Sequence, residues 1–136
     1  MDATTEAWLD GITPEIRQRD ARTLVELYAR VTGQEPRLHG SIVGFGRYAY
    51  RYASGRSGES AAGAFAPRKP ATVIYLSDGN AAHESELARL GPHTTGVGCL
   101  YIKDLSTVDL GVLEEIIRSS YGTLTAGVFG GSAGEA

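Results

Sequence analysis

The sequence predicts an α+β domain of two layers, a largely antiparallel sheet packed with helices, in the order α-β-β-β-α-β-α. Three observations carry this. Leu24, Leu27, Tyr28 and Val31 recur at helical spacing early in the chain, and Val112, Leu113, Ile116 and Ile117 do so late. Tyr48, Tyr50 and Tyr52 alternate with Ala49 and Arg51 at the period of a strand. The strand-like segments follow one another in a block bracketed by helices, the pattern of an antiparallel sheet with helices packed on it.

In chain order, a short helical turn around Trp8 and Leu9 precedes a helix opened by Thr13, Pro14 and Glu15, a hydroxyl cap followed by a proline at the first helical position and an acid in the first turn. That helix runs to about Thr32, where Gly33 and Pro36 stop it. Residues 42–52 form a strand. Residues 53–63, rich in glycine, serine and alanine, are expected to form a mobile loop between two strands. Residues 64–66 and 71–76 are strands separated by Pro67 and Pro70, neither of which can donate to a central ladder. A turn at residues 77–80 leads into a helix ending at Leu90, with Gly91 as a left-handed cap before Pro92. Residues 99–103 form a short apolar strand, and Thr107 or a neighbour caps the last helix. Residues 1–121 are expected to form a single domain, and the glycine-rich, aperiodic residues 122–136 a flexible C-terminal tail.

A chain of 136 residues with 42% hydrophobic content suits one shared core. A net charge of −3 supplies no global field for a phosphate backbone or an anionic bilayer, so neither nucleic acid nor membrane is expected as a partner. Cys99 is the only cysteine, which fits a reducing compartment. The N-terminal residues carry Asp2, Glu6 and Asp10 instead of a basic start and an apolar run, and the cytoplasm is the expected location.

Several residues carry candidate chemistry. Tyr48, Tyr50 and Tyr52 share a strand face and either fill core or line a pocket with phenol tips. Arg56, Arg68, Lys69 and Lys103 lie in or beside loops, and cations grouped near a glycine loop can hold a carboxylate or phosphate. These seven residues form the expected ligand-binding set, for a small anionic ligand. Asp20 falls on the apolar side of the first long helix, where a carboxylate needs a partner; a salt bridge or backbone bond tying helix to sheet is the expected role. His39, His83 and His93 have no zinc-ligand spacing, and Cys99 reads as a small buried hydrophobe. No Gly-x-Ser-x-Gly, P-loop or dinucleotide fingerprint occurs, no catalytic set is visible and no cofactor is evident. A non-enzymatic ligand-binding or chaperone-type module is therefore expected, with a homodimer through an uncovered sheet face or edge as a partner arrangement.

Ser41-Ile42-Val43-Gly44-Phe45-Gly46, the spaced tyrosines, Ser54-Gly55-Arg56, Phe65-Ala66-Pro67-Arg68-Lys69, Leu90-Gly91 and Cys99-Leu100-Tyr101-Ile102-Lys103, with Arg19-Asp20-Ala21 and Thr32-Gly33, together resemble the YdhG-like family of unknown function. The resemblance extends from about Trp8 to Tyr121. Many relatives carry a tryptophan just before the glycine-rich run, where this chain has Leu38-His39. The resemblance implies an α+β fold similar to frataxin-like proteins, and with it an alternative function as an intracellular iron chaperone. Such a protein would use weak, exposed carboxylates, for which Asp2, Glu6 and Asp10, four apart, are the candidates. An enzyme of unknown reaction is the third alternative.

Overall fold

The computed structural model describes residues 1–130. Helix α1 (Ala3–Asp10) starts where Asp2 accepts the Thr5 N–H at 2.7 Å, satisfying one of the amides that a helix N-terminus leaves without a partner. Helix α2 (Glu15–Thr32) begins after Pro14 with no side-chain cap, so the Thr13 hydroxyl does not serve the expected role. It ends at Gly33, whose φ of 70° is left-handed and whose N–H reaches the Ala29 carbonyl; a residue without Cβ takes that conformation at little cost.

The sheet has six strands in the order β1-β2-β3-β4-β6-β5: β1 (Arg37–His39), β2 (Ile42–Arg51), β3 (Ser57–Pro67), β4 (Thr72–Tyr75), β5 (Thr94–Gly96) and β6 (Cys99–Ile102). All five ladders are antiparallel. β1 and β5 are three residues each, too short to show alternation in the sequence. The larger difference is β3. Residues 57–63, expected in a loop, are paired to β2 at every position but Ala62, opposite Gly46, and the hairpin turn is confined to residues 52–56. Their small side chains answer to packing: a Cβ on Gly58 would lie 2.7 Å from the Tyr50 hydroxyl, and one on Gly63 would lie 2.9 Å from the Tyr28 ring.

Helices α2 and α4 (Leu110–Thr125) lie against β2 and β3, with α1 beside α2 and α3 (Glu84–Leu90) beside α4. The core between the layers joins Leu24, Tyr28, Leu113 and Ile116 to Val43, Phe45, Phe65, Ile74, Leu100 and Ile102. Tyr28 stacks on Phe45 at 4.9 Å and on Phe65 at 5.7 Å, geometries that add to simple area burial. A second, smaller cluster forms where Tyr48, Ala62 and Leu124 meet, flanked by Tyr50, Tyr121 and Phe129.

The cap of α4 falls two residues from Thr107, within the expected neighbourhood, and the end of α3 differs from expectation. α4 is capped by Asp109, which accepts the Gly111 and Val112 amides, while Thr107 belongs to a preceding 3-10 turn. Gly91 follows α3 with φ 114° and ψ −163°, which is not the left-handed helix cap, and a Cβ there would sit 2.9 Å from the Thr107 carbonyl oxygen. The boundary expected at residue 121 falls inside α4, which continues to Thr125 and buries Leu124 completely. Phe129 then bridges Tyr50 in parallel, exchanging backbone hydrogen bonds with Ala49 and Arg51. Within residues 122–130, expected as a flexible tail, Leu124 is buried and Phe129 half-buried while the others are exposed; residues 131–136 lie outside the described chain. No helix among the described residues is long and apolar enough to cross a membrane.

Candidate functional site

The expected ligand-binding set divides between the two ends of the sheet. Tyr48 and Tyr50 share a face of β2 and Tyr52 follows the strand, with Tyr50 and Tyr52 stacked at 4.7 Å and Phe129 edge-on to Tyr48 at 6.2 Å. Burial raises the Tyr48 pKa above its ordinary value, against a hydrogen bond with Ser77 that lowers it. Arg56 lies beside this row in the hairpin turn, its carbonyl accepting the Tyr52 N–H. Arg68 and Lys69 occupy the turn at the far end of β3, closed by the Arg68 N–H on the Ala71 carbonyl, and Lys103 follows β6 at that same end. β3 has 11 residues, so its ends stand roughly 35 Å apart at about 3.3 Å per residue. One small ligand cannot touch both groups.

A different cluster is brought together at the edge of β2. β1 covers this edge opposite Ile42, Val43 and Gly44, and the segment at Phe129 covers it at Ala49 and Arg51. Between them, Phe45 to Tyr48 have no strand partner on that side among the described residues. Strand alternation also breaks here. Phe45 faces the core, Gly46 turns with φ 67°, Arg47 is exposed and Tyr48 is buried again. A Cβ on Gly46 would meet the Tyr121 hydroxyl at 2.8 Å, so glycine is needed for its space as well as its conformation.

The result is a groove of about 890 Å³ lined by Arg37, His39, Arg47 and Tyr121 over a floor of Gly44 and Gly46. It continues through His39 and Arg47 onto the helix-free face, as a trough of about 330 Å³ above Ala61 and Ala64 with Tyr75 and Ser77 on its far wall. Arg37 makes no ion pair or side-chain hydrogen bond among the described residues. Arg47 has Glu59 only at 3.9 Å, and the other acid at the groove, Glu35, lies 3.4 Å from the Met1 amino group. The walls therefore carry a local positive excess on a chain whose net charge is −3. Guanidinium forks beside unpaired strand-edge amides can hold a carboxylate or phosphate.

Two buried polar nodes lie outside the groove. In the first, Ser120 donates to Asp78 Oδ1 at 2.6 Å and His83 Nε2 meets Asp78 Oδ2 at 2.8 Å. Burial pushes the Asp78 pKa up, but the bonds from His83 and Ser120 prevail and hold it below the ordinary carboxylate value. The trio has the composition of a hydrolase triad without its wiring, because serine and histidine both bond the carboxylate and a nucleophile needs the base on its own proton. All three are nearly inaccessible. In the second node, Arg17 donates to Thr72 Oγ1 at 2.8 Å, the Ile102 carbonyl at 3.1 Å and the Lys103 carbonyl. Asp20 accepts from Arg19 at 2.8 Å and from the Leu105 N–H at 3.1 Å. This is the expected structural role of Asp20, fixing α2 to the chain that follows β6. Arg17 went unnoticed in the sequence.

The N-terminal acids are engaged: Asp2 caps α1, while Glu6 and Asp10 both pair with Arg22. Among the described residues no group of three His, Cys, Asp or Glu side chains could hold a metal ion. Cys99 is half-buried on β6, more accessible than the buried hydrophobe expected, because β6 turns its Leu100 and Ile102 side to the core. No family model, curated protein or solved structure matches the chain.

Proposed function

We propose that this protein is a non-enzymatic binding module, of the kind its YdhG-like motifs suggest, and that its ligand is a small anion held in the groove at the interrupted edge of β2. The observation that carries this is Arg37, an arginine without a partner among the described residues, beside His39 and Arg47 over a glycine floor. Partnerless cations on a solvated surface are ordinary; what supports a site here is their convergence on a concavity with bare strand edge. This keeps the expected ligand class and moves the site away from Arg56, Arg68 and Lys69. The iron-chaperone alternative gains no support, since the carboxylates it would need are occupied by a helix cap and by Arg22.

The test is an amide NMR titration with inorganic phosphate and with citrate. Saturable shifts are expected at residues 33–47 and 121–125. Arg37→Ala should weaken binding about tenfold to a hundredfold, the loss expected of one charge-assisted hydrogen bond worth about 1.5–3 kcal/mol. Shifts that grow linearly, or that survive Arg37→Ala and Arg47→Ala unchanged, would remove the proposal.

A further inference from the structure

We infer a second binding site, at the opposite corner of the sheet, for a small carboxylate with an apolar or aromatic body. Continuing the registers of β4 with β6 and of β5 with β6 places Lys103 between Ala71 and Pro92. These three line a pocket of about 470 Å³ with His93, Tyr101 and Asp104. Its position owes nothing to the edge groove.

The shape follows from two small residues. A Cβ on Gly96 would lie 2.9 Å from the Tyr101 hydroxyl, so the phenol lies across Gly96, away from Lys103 on the same strand face. Ala71 leaves the other side low. The cavity that remains is mostly apolar, floored by Ala71, Pro92 and the Tyr101 ring, with polar groups at its rim. Sites of this type take a ligand's body on apolar surface and fix its orientation with one or two polar contacts.

The charges select the head group. The Lys103 ammonium has no ion pair or side-chain hydrogen bond among the described residues. The acid at the rim, Asp104, is bound to Arg19 at 2.6 Å and to the Ser106 amide at 2.9 Å and hydroxyl at 2.6 Å, so its charge is already offset. His93 Nδ1 lies 2.7 Å from the Gly91 carbonyl, so it carries the hydrogen and leaves Nε2 outward. A lone cation over an apolar floor fits a monocarboxylate of modest size; a bare inorganic anion would leave the floor uncovered.

Benzoate is the probe, with benzyl alcohol and inorganic phosphate as matched controls, each titrated into the full chain and followed by amide NMR. Benzoate should give saturable shifts at residues 93–94 and 101–104, with benzyl alcohol and phosphate at least about tenfold weaker there. Lys103→Gln, at an exposed position, should weaken benzoate about tenfold, and Lys69→Gln should leave it unchanged. Absence of saturation, equal binding of benzyl alcohol, or benzoate affinity indifferent to Lys103→Gln would each overturn the inference. Because the edge groove reports at residues 33–47, the same spectra read the two sites separately.

Discussion

Replacing Arg17 by methionine tests whether the buried guanidinium ties the two layers together. Arg17 is 2% exposed, and its charged donors serve Thr72, itself fully buried, and the carbonyls of Ile102 and Lys103. Methionine refills much of the volume, so the loss lies in polar terms. Removing one partner of a buried charged network costs about 3–5 kcal/mol. Asp20 keeps Arg19 and the Leu105 amide when Arg17 is gone, which places the expectation at the lower end, about 3 kcal/mol. For a chain of this size that is a fall in Tm of roughly 10 °C. Asp20→Asn should cost about 1–2 kcal/mol, because the amide oxygen can still accept from Leu105. Both residues hold the chain around β6, so the double variant should lose at least about 0.5 kcal/mol less than the sum of the singles. Urea unfolding with unchanged slope gives all three values. A loss under about 1 kcal/mol for Arg17→Met, or strict additivity, would refute the idea that these residues form one connection.

Gly46→Ala should destabilise by about 1–2 kcal/mol, since it combines a left-handed φ with the Tyr121 clash. Gly33→Ala, at φ 70° with nothing within 4 Å of the added Cβ, should lose only the conformational part, and a Gly46 loss no larger would remove crowding from the account. Ser120→Ala takes a donor from a buried carboxylate and should cost about 1.5–3 kcal/mol by thermal denaturation; unchanged stability would show the Asp78 node to be dispensable. Asp104 has its pKa lowered from 3.8 to about 2, first by Ser106 and then by Arg19. A depressed folded value means the carboxylate stabilises the native state above pH 3.8 and that this contribution fades as pH falls toward 2. Asp104→Asn should therefore be less stable than the parent at neutral pH and converge with it near pH 2; curves that stay parallel would contradict the assignment.

The layers, the antiparallel sheet and the long helices were legible because their signals are local. The Leu24, Leu27, Tyr28 and Val31 stripe buries or half-buries every member, and Asp20 on that stripe is paired as a buried acid must be. Arg17 lies on the same helical face, four residues before Ala21 and seven before Leu24. That spacing was the signal that could have found it, and its charge, which argues for solvent, masked it. The groove had no comparable signal. Arg37 and Arg47 are ten residues apart in sequence and meet only because a short hairpin folds β1 onto β2 and then leaves the edge open.

The separation of the expected binding set into two groups has one physical origin. Glycine, serine and alanine at residues 57–63 fit a loop by local propensity, and a loop could have curled Arg56 toward Arg68. In the folded chain those small residues answer to large neighbours. Gly58 lies beneath the Tyr50 phenol and Gly63 beneath the Tyr28 ring. On the helix-free face, a Cβ on Gly44 would lie 3.0 Å from the Ala61 methyl, and Ala61 with Ala64 floors the trough. The composition that suggested flexibility thus makes β3 an extended strand holding the basic groups apart, and the same small side chains leave room for a ligand between His39, Arg47 and Tyr75. Enlarging Ala61 to leucine would fill that trough from a half-buried strand position. It should leave phosphate binding at Arg37 intact while blocking any ligand long enough to reach Ser77, which separates a site confined to the edge from one that spans the face.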